Sequence, residues 1–79
     1  MQISVKLLAS YRKKLPEGTK GSTCYLEIPA QIAVRHVVEQ FDILCDESSV
    51  VLLNGRVTDP DQMVNNNDVV CVFPAFAGG

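Results

Sequence analysis

The group in this chain best placed to do chemistry is its last one. Val69-Val70-Cys71-Val72-Phe73-Pro74-Ala75-Phe76-Ala77-Gly78-Gly79 begins as a β-branched run, breaks at a proline and stops on two glycines. None of its side chains is charged, so its one charge is the carboxylate of Gly79. Glycine has no Cβ, so its backbone approaches another backbone where any other residue would clash. A strand that feeds such a tail is expected to present the carboxylate to a deep pocket on another protein. The rest of the chain is then a compact handle for the tail.

Other chemistry is sparsely supplied. The three cysteines, Cys24, Cys45 and Cys71, are widely spaced, and His36 is the only histidine. A zinc site needs about four ligands at clustered spacings, which this pattern lacks. Cys24 and Cys71 sit in strand-like runs and are expected to be buried as small apolar residues. Cys45 follows the helix and is expected to be exposed. His36 falls on a wet helix face. With no glycine-rich phosphate loop, no bound nucleotide or other cofactor is expected in this chain. A net charge of −2 argues against nucleic acid as the main partner. The basic cluster Arg12-Lys13-Lys14 reads as a solvated loop, with a partner contact as the alternative. No apolar run approaches the ~18 residues of a membrane span. Met1 to Lys6 alternates polar and apolar residues, unlike a signal peptide. The lack of a disulfide pattern points to a reducing cytoplasm.

The elements that must hold the tail follow from periodicity. Gln2 to Ala9 alternates, with Ile3, Val5 and Leu7 on one face, and predicts a strand with one wet side. Ser10 to Gly21 is polar and basic, broken by Pro16 and Gly18, and reads as a loop. Ser22 to Ile28 predicts a second strand, with Cys24, Leu26 and Ile28 inward, ended by Pro29. Residues 33–42 predict a helix whose stripe is Val34, Val37, Val38 and Phe41. Its N-cap is weak, because Ala33 stands where Ser or Thr is preferred. An acidic connector, Asp42 to Ser49, leads to Val50–Leu53, apolar throughout as in the middle of a sheet. Asn54-Gly55 is the strongest turn signal, and Arg56 and Val57 are expected to pair back briefly. Gln62-Met63-Val64 is read as a short helical turn that seals the core, Asn65 to Asp68 as a polar turn, and Val69 to Phe73 as the last strand. The order predicts an α+β domain, a mixed sheet of four to five strands with one main helix packed across it. The two terminal strands would pair at its centre. The division expected is a domain over residues 1–74 and a flexible tail over residues 75–79.

Four features together resemble a known family. They are Ala33-Val34-Arg35 through Phe41, Val51-Leu52-Leu53-Asn54-Gly55-Arg56-Val57, the polar turn before Val69-Val70-Cys71-Val72-Phe73-Pro74, and the ending Ala77-Gly78-Gly79. In this order they resemble the MoaD/ThiS sulfur carriers, ubiquitin-like β-grasp proteins, and most of all the small subunit of molybdopterin synthase. The strand-Phe-Pro-tail-Gly-Gly ending is the specific part. Ala75 replaces a usual second proline, Phe76 is bulkier than the usual aliphatic residue, and Asn66-Asn67-Asp68 replaces the usual Asp-Gly-Asp.

The resemblance implies a definite chemistry. A free carboxylate is a poor acyl donor. A ubiquitin-type adenylating enzyme, using ATP and magnesium, would convert Gly79 to an acyl-adenylate. Sulfur from a persulfide donor would then displace AMP and leave a thiocarboxylate. The loaded tail would enter the large subunit of molybdopterin synthase and give its sulfur to a cyclic pyranopterin, building the dithiolene that holds molybdenum or tungsten. Gly79 is the implied attachment point, Gly78 would let the chain thread a narrow channel, and Ala77 is an implied partner contact. Phe73, Pro74 and Phe76 are the implied anchors, with a core position as the alternative for Phe73 and a buried intramolecular one for Phe76. The catalytic groups would belong to the partners, and neither nucleic acid nor membrane is implied. Thiamine synthesis, tRNA thiolation and protein conjugation use similar carriers and stay open. So does a ubiquitin-like interaction module with an inert tail.

Overall fold

The structure is a computed structural model and describes residues 1–76. Its sheet has the strands β1 (Gln2–Leu7), β2 (Thr23–Glu27), β3 (Ser49–Leu53), β4 (Arg56–Val57) and β5 (Val69–Pro74). They lie in the order β2-β1-β5-β3-β4. The terminal strands β1 and β5 pair in parallel at the centre, and the other pairs are antiparallel. Helix α1 (Val34–Glu39) is the one α-helix of the described residues.

The alternation read from β1 is real. Ile3, Val5 and Leu7 are buried beside Val70 and Val72 of β5, Cys24 of β2 and Val51 of β3. Val34, Val37, Val38 and Phe41 close this core from the helix side. Burying each such side chain contributes roughly 1.5–3 kcal/mol, enough for a helix of mediocre formers to hold against the sheet. Its N-terminus is not capped by a side chain. Instead Val34 and Arg35 donate their N–H groups to the carbonyls of Gln62 and Pro60, at 2.8 and 3.0 Å.

That contact corrects one expectation. Gln62–Val64 is not a helical turn. Met63 bridges to Ala33, and Val64 donates to the Ile32 carbonyl at 2.9 Å while its side chain is fully buried. The orphan donors of a helix start need acceptors, and an extended segment offers carbonyls that a helical turn would consume. The segment seals the core as expected, in another conformation. The helix is also shorter than 33–42. Phe41 and Asp42 donate to the carbonyls three residues back, and Asp42 turns left-handed with φ 59°. This is a tightened helix end.

Three further expectations change. β1 stops at Leu7, because Ala9 takes φ 53° and swings the chain into a 3₁₀ helix, Ala9–Lys14, inside the expected loop. Tyr11 and Leu15 from this stretch pack against the core. β3 is not central: it lies second from the edge, and Val51 is its one buried residue. One helix covers one face, so Val50 and Leu52 lie on the uncovered face. Cys71 lies there too, opposite Leu52, half-buried rather than in the core.

The turns are built as read. Asn54 and Gly55 take φ 53° and 86°, as a two-residue hairpin of this hand requires. The Asn54 side chain then accepts from the Val69 N–H at 2.8 Å and donates to Asp68 at 3.0 Å. Asp68 also accepts from the Asn65 N–H, at 2.7 Å. The hairpin is thereby tied to the start of β5, so two polar turns fix the register of the strand that carries the tail.

The candidate tail exit

β5 runs between β1 and β3, and its last residue, Pro74, stands opposite Ser49. Proline is tolerated there for a geometric reason. Ala75 points its N–H at β3 and donates to the Ser48 carbonyl at 2.9 Å. Position 74 therefore faces the other way, past the end of β1, where a missing donor breaks no ladder bond. The strand does not break at the proline; the ladder continues one residue beyond it.

A small polar clamp surrounds this exit. Asp46 accepts hydrogen bonds from the Ser48 N–H, at 2.8 Å, and from the Ser48 hydroxyl. These bonds, the hydroxyl first, hold the Asp46 carboxyl below its usual range. What it adds to the turn is present above the ordinary aspartate pKa and is lost as pH falls through the lower folded value. On the other side the Tyr11 hydroxyl meets the Ser49 hydroxyl at 2.6 Å. The 3₁₀ helix and the acidic connector are thus both fastened to the strand end that releases the tail. Sequence reasoning missed Tyr11, Ser48 and Ser49. The one available signal was a tyrosine inside an otherwise polar and basic stretch.

The expected site residues divide by position. Phe73 is half-buried opposite Val50, on the sheet face away from α1, and so is not in the core cluster. Pro74 is half-buried, and Ala75 is exposed. Phe76 is 66% exposed. Ala77, Gly78 and Gly79 lie outside the described residues. Phe73 continues an apolar surface made with Val50, Leu52, Cys71 and Val57, the last 80% exposed.

The histidine and the cysteines are poorly placed to act as nucleophiles. His36 is exposed on α1. Cys24 is buried, and burial pushes its thiol up. Cys45, expected to be exposed, is half-buried against the core because Ile43 draws the connector inward. Burial raises its pKa, the Glu39 and Asp46 carboxylates raise it further, and Arg35 opposes them. The thiolate is the reactive form, so Cys45 is depleted of it at neutral pH. Alkylation at Cys45, followed by peptide mapping, should be slower at pH 7 than for a free peptide thiol and should accelerate only above the ordinary cysteine range. An equal rate at pH 7 would contradict this. Among the described residues no cluster of His, Cys, Asp or Glu could hold a metal ion, and no helix is long and apolar enough to cross a membrane.

Central parallel terminal strands, one helix over a mixed sheet and a tail leaving the middle strand define a ubiquitin-like β-grasp domain. The solved structures agree. SAMP1 from Haloferax volcanii matches with a TM-score of 0.76 at 17% identity, covering 100% of both chains. A putative molybdopterin converting factor subunit 1 from Pyrococcus furiosus matches at 0.74 and 25% identity, over 95% of this chain and 98% of that one. A chain in the complex of subunits 1 and 2 of the molybdopterin-converting factor from Helicobacter pylori matches at 0.61 and 14% identity, over 100% of both. Comparison with the curated proteins finds no match. The ThiS family profile matches residues 5–79, and the chain belongs to this family of ubiquitin-like sulfur carriers.

Proposed function

We propose that this chain carries sulfur as a thiocarboxylate on Gly79 and delivers it in molybdopterin synthesis as the small subunit of the synthase. The observation that carries the reading is the Gly78-Gly79 ending, placed a few residues beyond the central strand of a ThiS-family domain. The carboxylate oxygen would attack the α-phosphorus of ATP on an adenylating partner, releasing pyrophosphate. A persulfide sulfur would then attack the acyl carbon, with AMP leaving. Cleavage of the remaining S–S bond by a thiol would free the thiocarboxylate. This soft anion is nucleophilic without a neighbouring base. ATP and magnesium would be bound by the adenylating partner, not by this chain. The likeness to the Pyrococcus furiosus and Helicobacter pylori converting-factor subunits supports a large-subunit partner.

The test is the intact mass after incubation with ATP, a persulfide donor and a ubiquitin-type activating enzyme. The expected result is replacement of one carboxylate oxygen by sulfur. No adduct, from an enzyme active on its own carrier, would overturn the reading. A second reading keeps the same activated tail and sends it to a lysine amine. It is favoured by the likeness to the small archaeal modifier protein 1 of Haloferax volcanii and by Ala75 and Phe76, which depart from the usual tail. Its mark would be an isopeptide-linked Gly79 in place of a sulfur adduct.

Phe76 separates anchoring from folding. Being 66% exposed and outside the core cluster, it should be replaceable by alanine with a stability change within about 0.5 kcal/mol. Capture by the tail's recipient should weaken about tenfold or more, as expected on losing an aromatic anchor. A loss of several kcal/mol in denaturant unfolding would instead place the ring in the core.

A further inference from the structure

The charges of this chain are segregated. Residues 1–26 carry five Lys and Arg side chains against one acid, Glu17, while residues 27–79 carry two against eight. The net charge of −2 therefore conceals a basic N-terminal segment. The structure places the Arg12-Lys13-Lys14 cluster of that segment beside the tail exit. The 3₁₀ helix packs against β5 and is fastened there twice. Leu8 donates to the Val72 carbonyl at 3.0 Å, and Tyr11 meets Ser49, the residue opposite Pro74. Arg12, Lys13 and Lys14 form its exposed last turn. Lys14 donates to the Asp42 backbone carbonyl at 3.0 Å. The ion pairs among the described residues involve the N-terminal amine with Glu27 and Arg35 with Asp61, so Arg12 and Lys13 are exposed and have no carboxylate partner among the described residues. Beside them lies an open cleft of about 480 Å³, floored by Ala9, Leu15 and Pro16.

We propose that this basic end of the 3₁₀ helix is a docking surface for a carboxylate-rich patch on the protein that takes up the tail for activation. The inference rests on the carrier reading above and names the chemistry of its partner. Like charges crowded into one turn repel one another and are relieved by a complementary surface, and such charges chiefly accelerate encounter. Their position beside the exit lets one docking event orient the tail.

The test titrates the ¹⁵N-labelled full chain with a deca-glutamate peptide at low salt. The expected shifts concentrate at Arg12, Lys13, Lys14 and Leu15, spare Arg35 and Arg56, and vanish near 1 M salt, where the screening length is about 3 Å. R12E/K13E should weaken peptide binding about tenfold or more, and raise the KM for the carrier in adenylation similarly with kcat unchanged. Shifts spread equally over Arg35 and Arg56, or none, would overturn the proposal. So would displacement by inorganic phosphate at lower concentration, which would make this a phosphate site. Shifts that grow with the chain's own concentration would assign the surface to a second copy, and an unchanged KM in R12E/K13E would detach it from the tail's recipient. No loading of the wild type at all, with localised peptide binding, would remove the carrier reading and leave the acidic docking surface standing.

Discussion

Deleting Gly79 should leave the domain folded and abolish sulfur loading. Every residue of the buried cluster lies between Ile3 and Val72, and the last ladder bond described is made by Ala75. The deletion leaves all of these residues in place, so the unfolding midpoint should not move. The chemistry should fail for a reason of length. The truncated chain still ends in a glycine carboxylate, but that carboxylate stops about 3.3–3.6 Å short of where Gly79 would place it. A misplacement of about 1 Å can already cost a hundredfold in rate. Intact mass spectrometry with an activating enzyme should show no sulfur adduct, and a thermal melt should overlay the wild type. Loading retained by the truncated chain would show that the tail is not measured from its end, and the carrier mechanism would fall with it.

What was legible in the sequence was what is local. The alternation Ile3-Val5-Leu7 and the stripe Val34-Val37-Val38-Phe41 each name a buried face, because neighbouring residues encode them. Asn54-Gly55 names its turn by backbone preference alone. The place of β3 was not legible. Val50–Leu53 is apolar on both faces, which reads as the middle of a sheet, yet whether both faces are covered depends on where the single helix lies. Gln62–Val64 failed for a related reason. Its carbonyls serve a helix start nearly thirty residues earlier in the chain, and no local pattern announces such service. The exit clamp is the same case, since Tyr11 and Ser49 are 38 residues apart. The residue types of the tail could be read directly, whereas the exposure of Phe76 and the placement of Phe73 on the uncovered face came only with the fold.

Leu7→Ala should have the largest effect on stability, and its failure should look different from that of the truncated tail. Leu7 is fully buried, the last residue of β1, paired with Val72 across the parallel centre of the sheet. Its N–H also reaches the Ser22 carbonyl at 3.0 Å, so three strands' worth of chain converge on it. A buried leucine cut to alanine costs about 2–5 kcal/mol, part transfer and part cavity. A domain of this length has roughly 4–12 kcal/mol in all. The melting temperature should therefore fall by about 10–30 °C. Loading would fall with it near the melting point, because β5 no longer holds the tail in register. Cooling repopulates the folded state, so the variant should recover its sulfur adduct well below its melting point, whereas the Gly79 deletion should recover nothing at any temperature. Denaturant unfolding followed by intact mass at two temperatures checks both halves. A Leu7→Ala chain that melts like the wild type would mean the β1–β5 centre is not where this fold is held.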